Sequence, residues 1–177
     1  MPHPDLAPLR FCPACAAEAL VFEHDKVLRC TACGQRWFHN VAVAVCLVLR
    51  VDEAVLYTCR ARAPRAGYLD FPGGFVDPEE TLEEALVRET REELDLDLAG
   101  TPLHYLFSQH NRYPFEGITY RTADAYFGVR LPERPALRCA DDVREALWLD
   151  PARLDPERLA FDAVRRATAR LREDPHP

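Results

Sequence analysis

Lysine is almost missing from this 177-residue chain: Lys26 stands alone beside 21 arginines. Set against 29 acidic residues, these leave a net charge of −7. That balance argues against a nucleic-acid backbone as partner, and it leaves an anionic substrate to be met by metal ions and a few local arginines. Long apolar runs are missing as well. The run over residues 41–49 falls far short of the roughly 20 residues that a membrane-spanning helix needs, so no membrane partner is expected. The opening Met-Pro-His-Pro-Asp has neither the basic start nor the apolar stretch of a secretory signal. There is no internal repeat and no low-complexity tract. A cytoplasmic location is the expectation, consistent with cysteines kept reduced.

Cysteine is well represented, and four of the seven fall in a pattern. Cys12-x2-Cys15-x14-Cys30-x2-Cys33 is two CxxC knuckles at the spacing of a tetrahedral thiolate site, which reads as a zinc ribbon over residues 1–38. Four thiolates close the coordination shell of Zn²⁺, so the expected role is structural. A redox role would need only one pair. Nucleic-acid binding finds no basic patch here, because Arg10, Lys26, Arg29 and Arg36 are balanced by Asp5, Glu18, Glu23 and Asp25. A unit this small would not fold without its metal, whereas residues 39–177 suit one compact domain. Cys46, Cys59 and Cys139 read as packing residues.

In that second part, residues 41–51 and 54–59 are β-rich and flank Asp52-Glu53, as in a hairpin. Residues 68–71 and 75–76 flank the Gly73-Gly74 turn, and residues 103–107, 119–129 and 146–149 read as further strands. A closing helix is expected from Asp155-Pro156, an N-cap followed by proline at the first helical position. The best-marked helix begins after Thr81, which forms a capping box with Glu84. At about 100° per residue, Leu82, Leu86, Thr90 and Leu94 fall on one stripe, with Ala85 and Val87 at its edges. Glu84, Arg88, Arg91 and Asp95 lie opposite, Glu84 to Arg88 and Arg91 to Asp95 at i,i+4 spacing, as on a solvated face.

Glu89, Glu92 and Glu93 are misplaced for such a helix. They occupy an arc beside the apolar stripe instead of the solvated face. Two carboxylates ~4 Å apart repel by roughly 4 kcal/mol at an effective dielectric near 20, so three of them at a half-buried face need cations. Oxygen-only ligands favour Mg²⁺ or Mn²⁺, which complete their shells with water and substrate phosphates.

Gly74-x5-Glu80-x7-Arg88-Glu89-x2-Glu92-Glu93 resembles the signature of the Nudix hydrolases, which cleave nucleoside diphosphates linked to another moiety. The resemblance implies an α/β/α sandwich with a mixed sheet, here preceded by the ribbon, and an enzyme that hydrolyses a pyrophosphate bond. It also implies that Glu89, Glu92 and Glu93 bind the metal with the Gly74 carbonyl, while Arg88 and Glu80 pair to hold the loop onto the helix. The chain departs from the family pattern at Thr90, usually hydrophobic, and at Asp95, usually the glycine that ends the helix. A ribbon ahead of the hydrolase domain is similar to the NADH pyrophosphatase branch, which carries a Ser-Gln-Pro-Trp-Pro-Phe type motif. Ser108-Gln109-His110-Asn111-Arg112-Tyr113-Pro114-Phe115 shares its Ser-Gln and Pro-Phe but not its spacing.

The expected substrate is a small nucleotide, an adenine-containing compound of the ADP-ribose, NADH or FAD type. Tyr113 and Phe115, in a proline-containing loop, are candidates to stack on its base, and Arg112, Arg60 and Arg62 to meet its phosphates. Asp141, Asp142 and Glu145 are candidates for the general base or an extra ligand. The alternatives are a nucleoside triphosphate pyrophosphohydrolase, an enzyme removing RNA caps, and a regulatory protein sensing a nucleotide. A homodimer is compatible with the sequence.

Overall fold

The computed structural model describes residues 4–6, 8–24 and 26–173, so Asp25 lies outside the described residues. Its contacts divide the chain into two units, Met1–Ala42 with Arg112–Arg121, and Val43–Asn111 with Thr122–Pro177.

The first unit contains a three-stranded antiparallel sheet, β1 (Leu20–His24), β2 (Val27–Cys30) and β3 (Arg36–Phe38), in that order. Its knuckles are closed by the backbone. Ala16 donates to the Cys12 carbonyl and Gly34 to that of Cys30, and both residues have positive φ. The buried Asp5 carboxylate is held by the guanidinium groups of Arg112 and Arg121, at the two sides of a hairpin tip that belongs to this unit.

The larger sheet runs β6-β5-β4-β8-β7, with β9 on the other edge of β5. Its strands are β4 (Ala42–Val51), β5 (Ala54–Arg60), β6 (Leu69–Asp70), β7 (His104–Phe115), β8 (Ile118–Arg130) and β9 (Val143–Leu149). The β4–β5 turn at Asp52-Glu53 forms as the sequence indicates. The Leu131 amide donates to the Arg50 carbonyl, which places the exit of β8 beside the exit of β4, so these two run the same way in a mixed sheet.

Alternation divides the core of the second unit into two layers. Val45, Leu47 and Leu49 face α1 (Leu82–Leu94) and pack with Ala85, Leu86 and Leu94. Tyr57 faces α2 (Asp162–Glu173), where its hydroxyl shares a buried hydrogen bond with Thr168 at 3.1 Å. Ala163, Val164, Ala167, Thr168 and Leu171 form the buried stripe of α2, an i,i+4 pattern. An α/β/α sandwich results. Among the described residues, no helix is long and apolar enough to cross a membrane.

Two elements differ from the sequence expectation. The closing α-helix begins at Asp162, and Asp155-Pro156 caps only a 3-10 turn, with Asp155 accepting from the Glu157 amide. An N-cap followed by proline suits either helix type. Here Ala160 donates to the Leu69 carbonyl, which ties the chain to the sheet edge before the α-helix starts. Residues 108–115 are not a loop but the second half of β7, which places Tyr113 and Phe115 on a strand leading to the turn at Glu116-Gly117.

Candidate active site

The loop before α1 is fastened along β4. Leu47 and Val45 donate to the carbonyls of Pro72 and Gly74, and Val76 donates to that of Val43. This close approach explains the glycine pair. Gly73 has φ +135°, and a Cβ there would lie 2.0 Å from the Val45 carbonyl oxygen. A Cβ on Gly74 would lie 2.4 Å from Oε1 of Glu89, so the Gly74 backbone presses directly on that carboxylate.

Helix α1 presents the acidic face to this loop. Its start is the capping box of Thr81 and Glu84, and its end is Asp95, which adopts the left-handed conformation at φ +55° that a glycine would take more easily. The Glu93 carboxylate, 7% exposed, accepts from the Gly73 amide at 2.9 Å. Burial pushes its pKa up to about 8, against the opposing pull of that amide. Glu89 is also raised, first by burial, with Arg88 opposing. Glu92 departs from the helical-wheel expectation: its side chain is 52% exposed, at the rim of the site.

Arg88 ties these parts together. Its Nε and Nη2 donate to the two Glu80 oxygens at 2.7 and 2.9 Å, the bidentate fork that suits guanidinium and carboxylate. Nη2 also donates to the Phe75 carbonyl at 3.0 Å, and Nη1 to Glu89 at 2.8 Å and Glu92 at 3.2 Å. The Glu84–Arg88 pair read from spacing does not form, because Glu84 is held by its cap. Arg91 likewise pairs with Asp97 instead of Asp95.

The remaining candidates separate into two groups. Arg60 faces inward, bonded to Asp70 at 3.1 Å and to the Pro64 carbonyl at 2.8 Å, with its guanidinium over the Phe161 ring. Asp70 is half-buried, and its desolvation raises its pKa to about 6 although Arg60 opposes the shift. Arg112 is engaged by Asp5, and Tyr113 stacks on Phe115 with ring centroids 6.3 Å apart. The loop before β9 reaches the box: Arg138 and Ala140 donate to the last carbonyls of α1, Leu94 and Glu93. Asp141 contributes to the raised pKa of Glu89. Exposed Arg62 lies 3.0 Å from Asp142 and 3.6 Å from Asp141, while Glu145 is exposed on β9 opposite Cys59.

Two donor sets suit different ions. The Cys12, Cys15, Cys30 and Cys33 sulfurs all lie within 4.8 Å of one another, with Cys12–Cys33 at 3.8 Å and Cys15–Cys30 at 3.7 Å. A tetrahedron with bonds of roughly 2.3 Å to sulfur has edges of about 3.8 Å. The Cys33 amide, first among several groups, draws the Cys30 thiol down to about 7, toward the thiolate that a metal binds. Among the described residues the acids of the helix do not converge as tightly, because Arg88 draws Glu89 and Glu92 to itself. Their chemistry still suits a hard divalent cation: oxygen donors only, with burial raising the pKa of Glu89 and Glu93.

Sequence reasoning missed Gly73 as the amide donor to Glu93 and Asp70 as the partner that turns Arg60 inward. The glycine doublet was the available signal for the first. Nothing local pointed to the second.

The α/β/α sandwich brings its glycine loop and the acidic face of α1 together at one place. The chain belongs to the NUDIX family: the model of the NUDIX domain matches residues 38–171. Members of this family work with divalent metals, and the four-cysteine cluster can hold a further ion. The chain is 30% identical over 150 residues to a Pseudomonas aeruginosa protein named NAD-capped RNA hydrolase NudC, covering 83% of this chain and 50% of that one. It is 33% identical over 174 residues to the protein of the same name from Deinococcus radiodurans, covering 93% and 59%. The chain thus spans about half the length of the curated relatives it matches. A NUDIX hydrolase structure from Nitrosomonas europaea superposes with a TM-score of 0.64 at 22% identity, covering 95% of this chain and 93% of that one.

Proposed function

We propose that this chain hydrolyses the pyrophosphate bond of an adenine-containing nucleoside diphosphate derivative, with Mg²⁺ or Mn²⁺ at the acidic face of α1. The observation that carries this reading is the joint approach of Glu89 and Glu93 to the Gly73-Gly74 backbone, with Arg88 clamping the loop through Glu80. A divalent ion bound there supplies charge neutralisation and Lewis-acid polarisation at the diphosphate. Glu89, Glu92 and Glu93 would hold it, joined by the Gly74 carbonyl, which also accepts from Val45. Arg88 keeps Glu89 and Glu92 aimed at the same side of the helix. Asp141, on the loop that reaches α1, is the best-placed acceptor for the proton of the attacking water. Asp142 and Glu145 are weaker candidates, the first held closer by Arg62 (3.0 Å against 3.6 Å for Asp141) and the second out on the strand. Attack is in line at phosphorus, and the second phosphate leaves with its half of the substrate.

The named relatives favour NAD-type substrates, since two of them at 30–33% identity are called NAD-capped RNA hydrolases. RNA cap removal is therefore the second reading. The same chemistry serves both, and the net charge of −7 favours the small dinucleotide. The cysteine cluster is assigned to structural Zn²⁺, with residues 1–38 as the ribbon and 39–177 as the hydrolase domain in a reducing, cytoplasmic setting. Hydrolysis of ADP-ribose, NADH, FAD, nucleoside triphosphates and an NAD-capped RNA oligonucleotide with Mg²⁺ or Mn²⁺ tests the substrate assignment. AMP plus the phosphorylated other half is expected from the dinucleotides. Inorganic pyrophosphate released from triphosphates at much higher kcat/KM would overturn it.

A further inference from the structure

Two consecutive carboxylates share one guanidinium on the loop before β9. Nη1 of Arg62 lies 3.0 Å from Oδ1 of Asp142 and 3.6 Å from Oδ1 of Asp141. The Asp142 Oδ1 atom is buried and accepts no hydrogen bond, so the charge of Arg62 is what offsets it. Beside this ion pair the backbone adds a second tie, from the Ala61 amide to the Asp142 carbonyl at 2.7 Å. The chain leaving β5 therefore holds this loop by a main-chain bond and by a charge.

Helix α1 holds the same loop from the other side. Arg138 and Ala140 donate to the Leu94 and Glu93 carbonyls, each at 2.9 Å. Between the two anchors stands Asp141, in the left-handed conformation at φ +48°. Aspartate tolerates that region better than most residues, yet such backbone persists only where its surroundings fix it, and it clusters at functional sites. The Glu89 pKa is raised first by burial and then by the charges of Glu92 and Asp141, which puts Asp141 within electrostatic reach of the box. Like charges this near repel, so a cation is needed to keep the loop in place. If Arg62 turned to a substrate phosphate, Asp142 would lose its offset and Asp141 would face Glu89 uncompensated. We propose that Arg62 is a positioning residue: it holds the Asp141–Asp142 loop against the C-terminal end of α1, so that Asp141 stands beside Glu89 when substrate arrives, and it does not itself contact phosphate. This role rests on the hydrolytic reading, in which Asp141 accepts the proton of the attacking water.

Two measurements on the full chain test it: steady-state turnover of ADP-ribose with Mn²⁺, and amide exchange without metal or substrate. The variants are Arg62→Gln, Arg62→Lys, Asp141→Asn and the double substitution Arg62→Gln with Asp141→Asn. Exposed ion pairs add little to global stability, so Tm should stay within about 2 °C of wild type. Arg62→Gln should lower kcat by roughly three- to tenfold and leave KM within about twofold. Its amide exchange should rise at residues 139–142 and stay unchanged in β4. Arg62→Lys keeps the charge and should recover most of the lost kcat. Asp141→Asn suits the same backbone conformation and should lower kcat by about 10²-fold. Adding Arg62→Gln to it should cost less than about twofold more, because Arg62 acts through Asp141. A raised KM with kcat kept would make Arg62 a substrate contact and overturn the proposal. Unchanged exchange at residues 139–142, or full additivity of the two substitutions, would overturn it as well. If the wild type hydrolysed none of ADP-ribose, NADH and FAD, the hydrolytic reading would fall and this role with it.

Discussion

Adjacent glycines in the loop before α1 are required for different reasons, and substitution separates them. A Cβ on Gly73 meets backbone, the Val45 carbonyl, at a φ of +135° that other residues rarely adopt. Gly73→Ala should therefore cost roughly 3 kcal/mol or more and lower Tm by at least ~6 °C. A Cβ on Gly74 meets only the movable end of Glu89. Gly74→Ala should leave Tm within ~2 °C and lower kcat by tenfold or more, because the carboxylate it displaces is the one proposed to hold metal. Calorimetry beside steady-state kinetics checks both. Single residues were legible in the sequence where periodicity spoke for them: Glu93 is misplaced on the wheel and is buried, as the wheel implies. Arg88 was placed by the wheel on the solvated face, and its long side chain reaches back across the helix flank to Glu80 and Phe75. Arg112 was one candidate for a phosphate contact, and its tie to Asp5 spans 107 positions that no local pattern could bridge.

At the scale of elements, helix ends were easier to find than strand lengths. Thr81 and Glu84 mark the start of α1 by a side-chain pattern that the structure reproduces in full, and Asp95 ends it by taking the conformation usually given to glycine. Strand β7 runs on through Pro114 because the hairpin tip is held within the first unit by Asp5, a tertiary tie that overrides local propensity. The ribbon was legible throughout, since spacing alone places four sulfurs close enough for one ion. It should hold one zinc per chain, which contributes on the order of 10 kcal/mol to so small a unit. Cys30→Ser should abolish the bound zinc in elemental analysis and increase amide exchange in β1, β2 and β3, with exchange in α1 unchanged. Full protection of the three strands in zinc-free protein would show that the cysteines are only packing.

For the whole molecule, the acidic face of α1 is the central claim, and the sequence made it available because a helix buries charge only with a reason. The most direct measurement is Mn²⁺-dependent turnover of ADP-ribose by wild type, Glu93→Gln, Glu92→Gln and Glu84→Gln, each checked for unchanged far-UV dichroism. Glu93→Gln and Glu92→Gln remove charge from the proposed metal and should lower kcat by roughly 10²-fold or more. Glu84→Gln alters only the side-chain half of a capping box that Gln can also close, which should leave kcat within about twofold of wild type and cost less than about 1 kcal/mol of stability. Equal activity in all four proteins, or equal loss in the three variants, would contradict the assignment of this face to metal.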